Sequence, residues 1–194
     1  HKEYCIKRVV VSTYQSVSGA GYDGINQLNN ERLINCSMDN IGNNFNKVFK
    51  KNIDLNCIAL CDDLDIESNY TKEEIKLENE TPKIMDTDIK ITATAVRVPV
   101  IGGHSESVNI EFEKEYDINK IKLLLQNSSG IVVKDICYPI DVKDKFDVYV
   151  GRIRRDYSKN NCINLWIVAD NLMKGAALNA VQIAEYINNI FINT

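Results

Sequence analysis

The chain has 194 residues, of which 44% are hydrophobic and 26% charged, with a formal net charge of -4. That length accommodates one domain with a real core, and the acidic balance excludes non-specific nucleic-acid binding, which needs a basic surface. No apolar stretch approaches the about 20 residues of a membrane span, and the opening His1-Lys2-Glu3-Tyr4 has no signal-peptide pattern, so the sequence predicts a cytoplasmic protein without a membrane partner.

Residues 9–13, Val-Val-Val-Ser-Thr, predict a buried strand that runs into a polar, glycine-bearing turn ending at Gly21. Residues 22–52 are rich in Asn, with Lys47, Lys50 and Lys51, and predict a helix followed by a solvated loop that includes 39–44. Residues 53–60 predict a second strand. Thr71-Lys72-Glu73-Glu74 fits a capping box, with Thr71 as N-cap and Glu74 at N3, and opens a helix to about Met85. Residues 89–100 predict a strand with Pro99 near its end, and 108–112 alternate as another. Ile118–Gln126 is helical with Asp117 as N-cap. Ile131–Val133, 148–153 and 163–168 predict further strands, and 172–190 an Ala-rich helix. Strands mixed with helices, without strict βαβ alternation, give the α+β class.

Three constellations can carry chemistry. In Arg97-Val98-Pro99-Val100-Ile101-Gly102-Gly103-His104, a strand bearing an arginine meets a glycine turn and then one of the two histidines in the chain. Arginine grips a carboxylate with two parallel hydrogen bonds, and histidine carries protons near neutral pH. A surface arginine beside a loop histidine gives the same pattern. The helix start with Glu73, Glu74 and Lys76 reads equally as a solvated first turn or as one face turning Glu73 and Lys76 toward a common site. Gln15 with Ser18-Gly19 sets an amide at a strand end, able to orient a carbonyl, and a glycine that admits a close ligand.

The six cysteines are scattered, which fits free thiols in the cytosol better than a disulfide framework. Cys57 and Cys61 form a single spaced pair with no histidine near, so no metal site is expected. Asn35-Cys36-Ser37 is read as a structural or exposed thiol rather than a nucleophile.

Residues 8–21 resemble the segment that follows the catalytic cysteine in the aspartate-semialdehyde dehydrogenases. So do 70–76 (Tyr-Thr-Lys-Glu-Glu-Ile-Lys), 80–84 (Glu-Thr-Pro-Lys-Ile), 92–100 (Thr-Ala-Thr-Ala-Val-Arg-Val-Pro-Val) with 103–106 (Gly-His-Ser-Glu), 150–156 (Val-Gly-Arg-Ile-Arg-Arg-Asp) and 170–185 from Asp170-Asn171-Leu172 onward. The resemblance covers nearly the whole chain. It implies the C-terminal substrate-binding and dimerisation domain of such an enzyme, spanning 1–194, with a mixed, largely antiparallel sheet and helices on one face. Segments 1–20 and 171–194 would pack against an N-terminal NADP-binding domain. The missing initiator Met fits a chain processed or cut from something longer. In that family Asn-Cys-Ser holds the nucleophile, but ahead of the Gln-bearing segment, whereas Cys36 lies after Gln15.

The family reduces aspartyl 4-phosphate to aspartate 4-semialdehyde with NADPH, on the route to lysine, threonine and methionine. A cysteine thiolate forms a thioester, which hydride resolves. By position the resemblance makes His104 the acid/base partner of that thiol and has Gln15 orient the thioester. Arg97 holds the substrate α-carboxylate, Glu73 the α-ammonium, and Lys76 helps with phosphate. Ser18, Gly19 and Asn171 approach the nicotinamide nucleotide. The implied partners are a second copy in a homodimer, the N-terminal domain, the small-molecule substrate and phosphate. The chain departs from the family in lacking the catalytic cysteine with its Gly-rich half, and in Asn56-Cys57-Ile58-Ala59-Leu60, which replaces a stretch with Pro after the Asn. Isolated, it is expected to be inactive. The alternatives are an N-acetylglutamyl-phosphate type reductase, whose substrate has a blocked amine and would not need Glu73 and against which the match at 92–104 speaks, and a non-catalytic oligomerisation module, which has no reason to gather Glu73, Arg97 and His104 in one pocket.

Overall fold

A computed structural model of the chain describes residues 1–37 and 45–191; the loop expected at 39–44 lies outside the described residues. The strands are β1 (Ile6–Gln15), β2 (Lys90–Arg97), β3 (His104–Phe112), β4 (Ile131–Val133), β5 (Val148–Arg155) and β6 (Cys162–Ala169). The helices are α1 (Gly21–Cys36), α2 (Lys72–Met85), α3 (Ile118–Gln126) and α4 (Leu178–Phe191). All six strands form one sheet in the order β2-β1-β3-β6-β5-β4. The pairs β1–β2 and β4–β5 are parallel, while β1–β3, β3–β6 and β5–β6 are antiparallel. The fold is α+β with a mixed, mainly antiparallel sheet.

Period-two alternation gives the sheet two different faces. Val11 pairs with Ala93 on one side and Val108 on the other, and Val108 pairs with Leu165, so one apolar stripe crosses four strands. Ile121 of α3 and Leu77 of α2 pack onto that stripe with Phe112, Tyr116, Val150 and Ile163. The opposite face carries Ser12, Ser107 and Trp166 in one cross-strand row, and the Tyr14 ring lies 5.4 Å from Trp166.

The edge strand β2 would leave a row of outward N–H groups unpaired. Helix α2 covers it with carboxylates. Ala93 N donates to Glu78 Oε1 at 3.2 Å and Ala95 N to Glu74 Oε1 at 2.8 Å. Arg97 N donates to Ile58 O at 2.8 Å. Glu74 has a second task, because its Oε2 accepts from Thr71 N at 2.8 Å while Thr71 Oγ1 accepts from Glu74 N, which completes the capping box.

This arrangement corrects the strand expected at 53–60. Only a single bridge forms there, Ile58 with Arg97. Ile53 is fully buried against Val17 and Leu28, Leu55 turns at φ 57°, and Asn56 bonds its own neighbourhood, donating to Asn52 O and accepting from Cys57 N. Side-chain bonding to nearby backbone competes with a ladder, and β2 has its outward groups already filled. The helix expected at 172–190 also starts differently. Asp170 Oδ1 accepts from Leu172 N and Met173 N, the turn Met173–Ala177 is π-type, and α4 begins at Leu178. Val181, Tyr186 and Phe191 on α4 are exposed. No helix among the described residues is long and apolar enough to cross a membrane.

Candidate active-site cleft at the sheet end

Strand direction decides which residues meet. Because β1 and β2 are parallel, Gln15 and Arg97 end them side by side. Because β3 is antiparallel to both, its first residue His104 lies at the same end. β6 is antiparallel to β3, so Ala169 pairs with His104 and delivers Asp170 and Asn171 to the same place. The bond from Ala95 N to Glu74 sets the first turn of α2 beside Arg97 and brings Glu73 and Lys76 over the strand ends.

The result is a cleft of about 750 Å³ lined by Gln15, Ser18, Gly19, Glu73, Lys76, Arg97, His104 and Asn171. These are all the site residues singled out in the sequence, from five separate segments. The cleft also takes in Val48, Phe49, Lys50 and Cys61, none of which the sequence singles out as a site residue. Ser16, between Gln15 and Ser18 in the chain, sits behind it fully buried, with nothing in its sequence setting to mark it.

Gln15 Nε2 donates to Glu73 Oε1 at 3.2 Å, and Lys76 Nζ pairs with the other Glu73 oxygen at 3.5 Å. Both contacts are long, and half of the Lys76 side chain is exposed, so this ion pair contributes little to stability. Asn171 Oδ1 is a hub that accepts from Ser16 Oγ, Ser18 Oγ and Gly103 N. Gly103 lies at φ 76°, and a Cβ there would stand 2.9 Å from Pro139 O, so glycine is required for the turn that launches His104. Gly19 is a close-approach position. A Cβ on it would lie 2.7 Å from Arg97 Nη1 and 3.2 Å from His104 Nε2, closing the cleft floor.

Arg97 is the buried cation of the cleft. It is only 8% exposed, yet among the described residues it has no carboxylate partner. Its Nη1 donates to Ser16 O at 2.8 Å, and the guanidinium lies 5.9 Å from the Phe49 ring centre. A buried, uncompensated cation is costly, so the cleft favours an anion at this point. Cys61 lines the same cleft, but burial pushes its thiol up to about 11, with Arg97 opposing, and it stays protonated and unreactive near neutral pH. Cys36 and Cys57 are exposed. The described residues gather no metal-ligand cluster.

Burial and the nearby Arg97 charge pull the His104 imidazole down to about 4, with a hydrogen bond to the Gly103 backbone, and then Glu73 and Asp170, opposing. Its folded value lies below its ordinary 6.5, so on acidification the unfolded chain takes the proton first. The contribution of neutral His104 is complete above pH 6.5 and is lost as pH falls toward 4. The gap corresponds to about 3 kcal/mol. Urea unfolding of the native chain and His104→Gln at about pH 7 and about pH 4 should show the native chain losing about 3 kcal/mol more than the variant. Equal losses would assign the acid sensitivity to carboxylates instead.

A mixed sheet whose strand ends gather an arginine, a histidine and a carboxylate around a glycine floor has a counterpart among known proteins. The family model for the semialdehyde dehydrogenase dimerisation domain matches residues 1–174. The chain therefore belongs to the semialdehyde dehydrogenase family, as its dimerisation domain. Among its relatives, the aspartate-semialdehyde dehydrogenase of Rickettsia bellii is 46% identical over 189 residues, covering 94% of this chain and 55% of that protein. The chain thus spans about half the length of the curated relatives it matches. The aspartate semialdehyde dehydrogenase II of Vibrio cholerae, solved in complex with ASA, superposes with a TM-score of 0.88 at 39% identity, covering 98% of this chain and 57% of that one. The Candida albicans enzyme solved with NADP shares the fold, with a TM-score of 0.65 at 22% identity, covering 98% of this chain and 53% of that one.

Proposed function

We propose that the chain is the substrate-binding and dimerisation half of an NADP-dependent aspartate-semialdehyde dehydrogenase, acting on aspartyl 4-phosphate. The buried Arg97, which has no carboxylate partner among the described residues, carries this reading, because an amino-acid substrate would bring one. A guanidinium holds such a group with two parallel hydrogen bonds. Glu73, across the cleft, receives the substrate ammonium. An N-acetylated substrate has no ammonium for that carboxylate, which favours aspartate over the N-acetylglutamyl alternative. Lys76 supplies positive charge for the phosphate, and Gln15 orients the acyl group. His104 faces the reacting carbon as the acid/base partner of the thiol. The thiolate itself comes from the other half of the enzyme, since Cys61 is protonated where it stands.

The nicotinamide end of the cofactor would be held at the side of the cleft that Ser18, Gly19 and Asn171 line. When bound, NADPH supplies hydride to the acyl carbon. Asn171, its Oδ1 filled by three donors, keeps its amide N–H groups for the nucleotide.

The test is reconstitution. The chain alone should not oxidise aspartate semialdehyde with NADP and phosphate, and supplying the N-terminal half should restore turnover. Turnover by the chain alone, or none after reconstitution of a folded assembly, overturns the reading.

The sheet face opposite α2 and α3 is the proposed homodimer surface. It presents Val10, Ser12, Tyr14, Ser107 and Trp166, most of them half-buried, on β1, β3 and β6. Two-fold pairing through one self-complementary patch is the commonest way to cover such a face. Sedimentation at micromolar concentration should show a dimer, and Ser12→Arg on that face should yield a monomer. A native chain that sediments as a monomer contradicts the assignment. α4, with Val181 and Phe191 exposed, is the proposed contact to the N-terminal domain.

A further inference from the structure

We infer that Lys50 is a second cation for the phosphate, acting with Lys76 to hold the phosphoryl group at the rim of the cleft. Its place at the rim is read from position and charge, and its part in turnover rests on the function proposed above.

The segment that carries Lys50 is fixed on both sides. Val48 N and Phe49 N donate to Gln27 Oε1 at 2.7 and 2.9 Å, and Ile53 N and Asp54 N donate to Glu31 Oε2 at 2.7 and 2.9 Å. Gln27 and Glu31 are both buried on α1, so Lys50 stands between two anchored pairs of backbone groups. The Phe49 ring centre lies 5.9 Å from the Arg97 guanidinium, and Lys50 is the next residue. The stretch holds two further lysines, and they go elsewhere. Lys47 lies over the Phe45 ring at 5.8 Å, and neither it nor Lys51 lines the cleft, whereas Lys50 does.

Charge matching gives Lys50 its task. Aspartyl 4-phosphate brings an α-carboxylate, an ammonium and a phosphoryl group with about two negative charges near neutral pH. Arg97 answers the carboxylate and Glu73 the ammonium. Lys76 offers the phosphoryl group a single positive charge, part of it shared with Glu73 at 3.5 Å. His104 is neutral near neutral pH and adds none. A phosphoryl charge is left over, and Lys50 is the other lysine that lines the cleft. The carboxylates at the rim do not consume it. Asp63 accepts from Lys72 Nζ at 2.7 Å, and Asp62 Oδ1 accepts from Asp63 N at 2.8 Å. Lys72, and to a smaller degree Lys50, hold the Asp63 carboxyl below its usual range, so Lys50 stands near this rim. Among the described residues it makes no ion pair of its own.

The test uses the enzyme reconstituted from this chain and its N-terminal half, run in the direction that consumes aspartate semialdehyde, NADP and inorganic phosphate. Lys50→Gln should raise the KM for phosphate about ten-fold and leave the KM for the semialdehyde within about two-fold of the native value. Lys50→Arg keeps the charge and should recover most of the loss. Added salt should narrow the gap between Lys50→Gln and the native enzyme, because an exposed charge is screened. An unchanged KM for phosphate, or equal rises for both substrates, overturns the inference. Titration of the 15N-labelled chain alone with inorganic phosphate separates the two levels. Amide shifts at 49–51 and 73–76 should move with phosphate, and respond more weakly in Lys50→Gln. That result beside an inactive reconstituted enzyme strikes the functional reading alone. An active enzyme whose phosphate KM ignores Lys50→Gln strikes this inference alone, and an inactive enzyme with no amide response strikes both.

Discussion

Replacing Glu31 with Ala should lower the stability of the chain by about 4 kcal/mol. Glu31 is 2% exposed and stands on α1. Its Oε2 accepts from Ile53 N at 2.7 Å and Asp54 N at 2.9 Å, and its Oε1 from Gln27 Nε2 at 2.7 Å. Truncation orphans all three donors, each at a cost of about 1–3 kcal/mol, because Ile53 and Gln27 are too buried for water to replace the carboxylate fully. The damage should spread to the cleft. Gln27 sits one turn earlier, and its Oε1 accepts from Val48 N and Phe49 N. The two side chains, four residues apart, hold segment 48–54 against α1, and with it the Phe49 ring near Arg97. Glu31→Gln keeps one acceptor oxygen while turning an NH₂ toward backbone N–H, and should lose about half as much. Urea denaturation measures both. A loss below about 1 kcal/mol in Glu31→Ala would mean that water reaches these donors.

In the complete enzyme, Arg97→Lys should cut kcat/KM about 100-fold, chiefly through KM. Arginine at this position has two tasks. One donor holds Ser16 O at 2.8 Å, and the rest of the planar fork is left for a ligand carboxylate. Lysine keeps the charge but offers a point donor on a flexible stem, so it cannot serve both. A substrate analogue without the α-carboxylate separates the roles. It should bind the native enzyme poorly and suffer little further from the substitution. If the analogue loses as much as the full substrate, Arg97 acts through Ser16 and the cleft floor, and the assigned carboxylate contact falls. Unchanged kinetics with both substrates would remove Arg97 from the site.

Much of the fold could be read along the chain, for reasons that reach only a few residues. The capping box Thr71–Glu74 closes within one turn, and Asp117 caps α3 by accepting from Asn119 N at 2.8 Å. β3 follows apolar alternation, which depends only on the pleat, and β1 and β6 stand out as short apolar runs. The misreadings arose where a distant partner decided the outcome. Residues 53–60 are apolar enough for a strand, but Glu31, 22 positions earlier, holds the backbone of Ile53 instead. The start of the last helix reads as regular from its alanines, yet Asp170 caps Leu172 and Met173 and also accepts from Asp144 N, tying the turn to another loop.

The same division runs through the cleft. Residue type and local setting marked Gln15, Glu73, Arg97, His104 and Asn171, because a polar group at a strand end, a glycine turn or a helix start is visible in a short window. Their meeting was not visible. It follows from β1 and β2 running parallel while β3 and β6 run opposite, a consequence of strand order across the whole sheet. Ser16, Phe49 and Lys50 had no local signal, since a serine in a turn or a lysine in a loop is ordinary until the chain folds around it, and the spacing of Cys57 and Cys61 says nothing of Cys61 lining the cleft. The sequence by itself determined the α+β class, the capped helices, the strand faces and the family. Tertiary structure decided which charged groups lie buried at the cleft and which edge groups needed cover, because each depends on atoms that only folding brings within hydrogen-bond range.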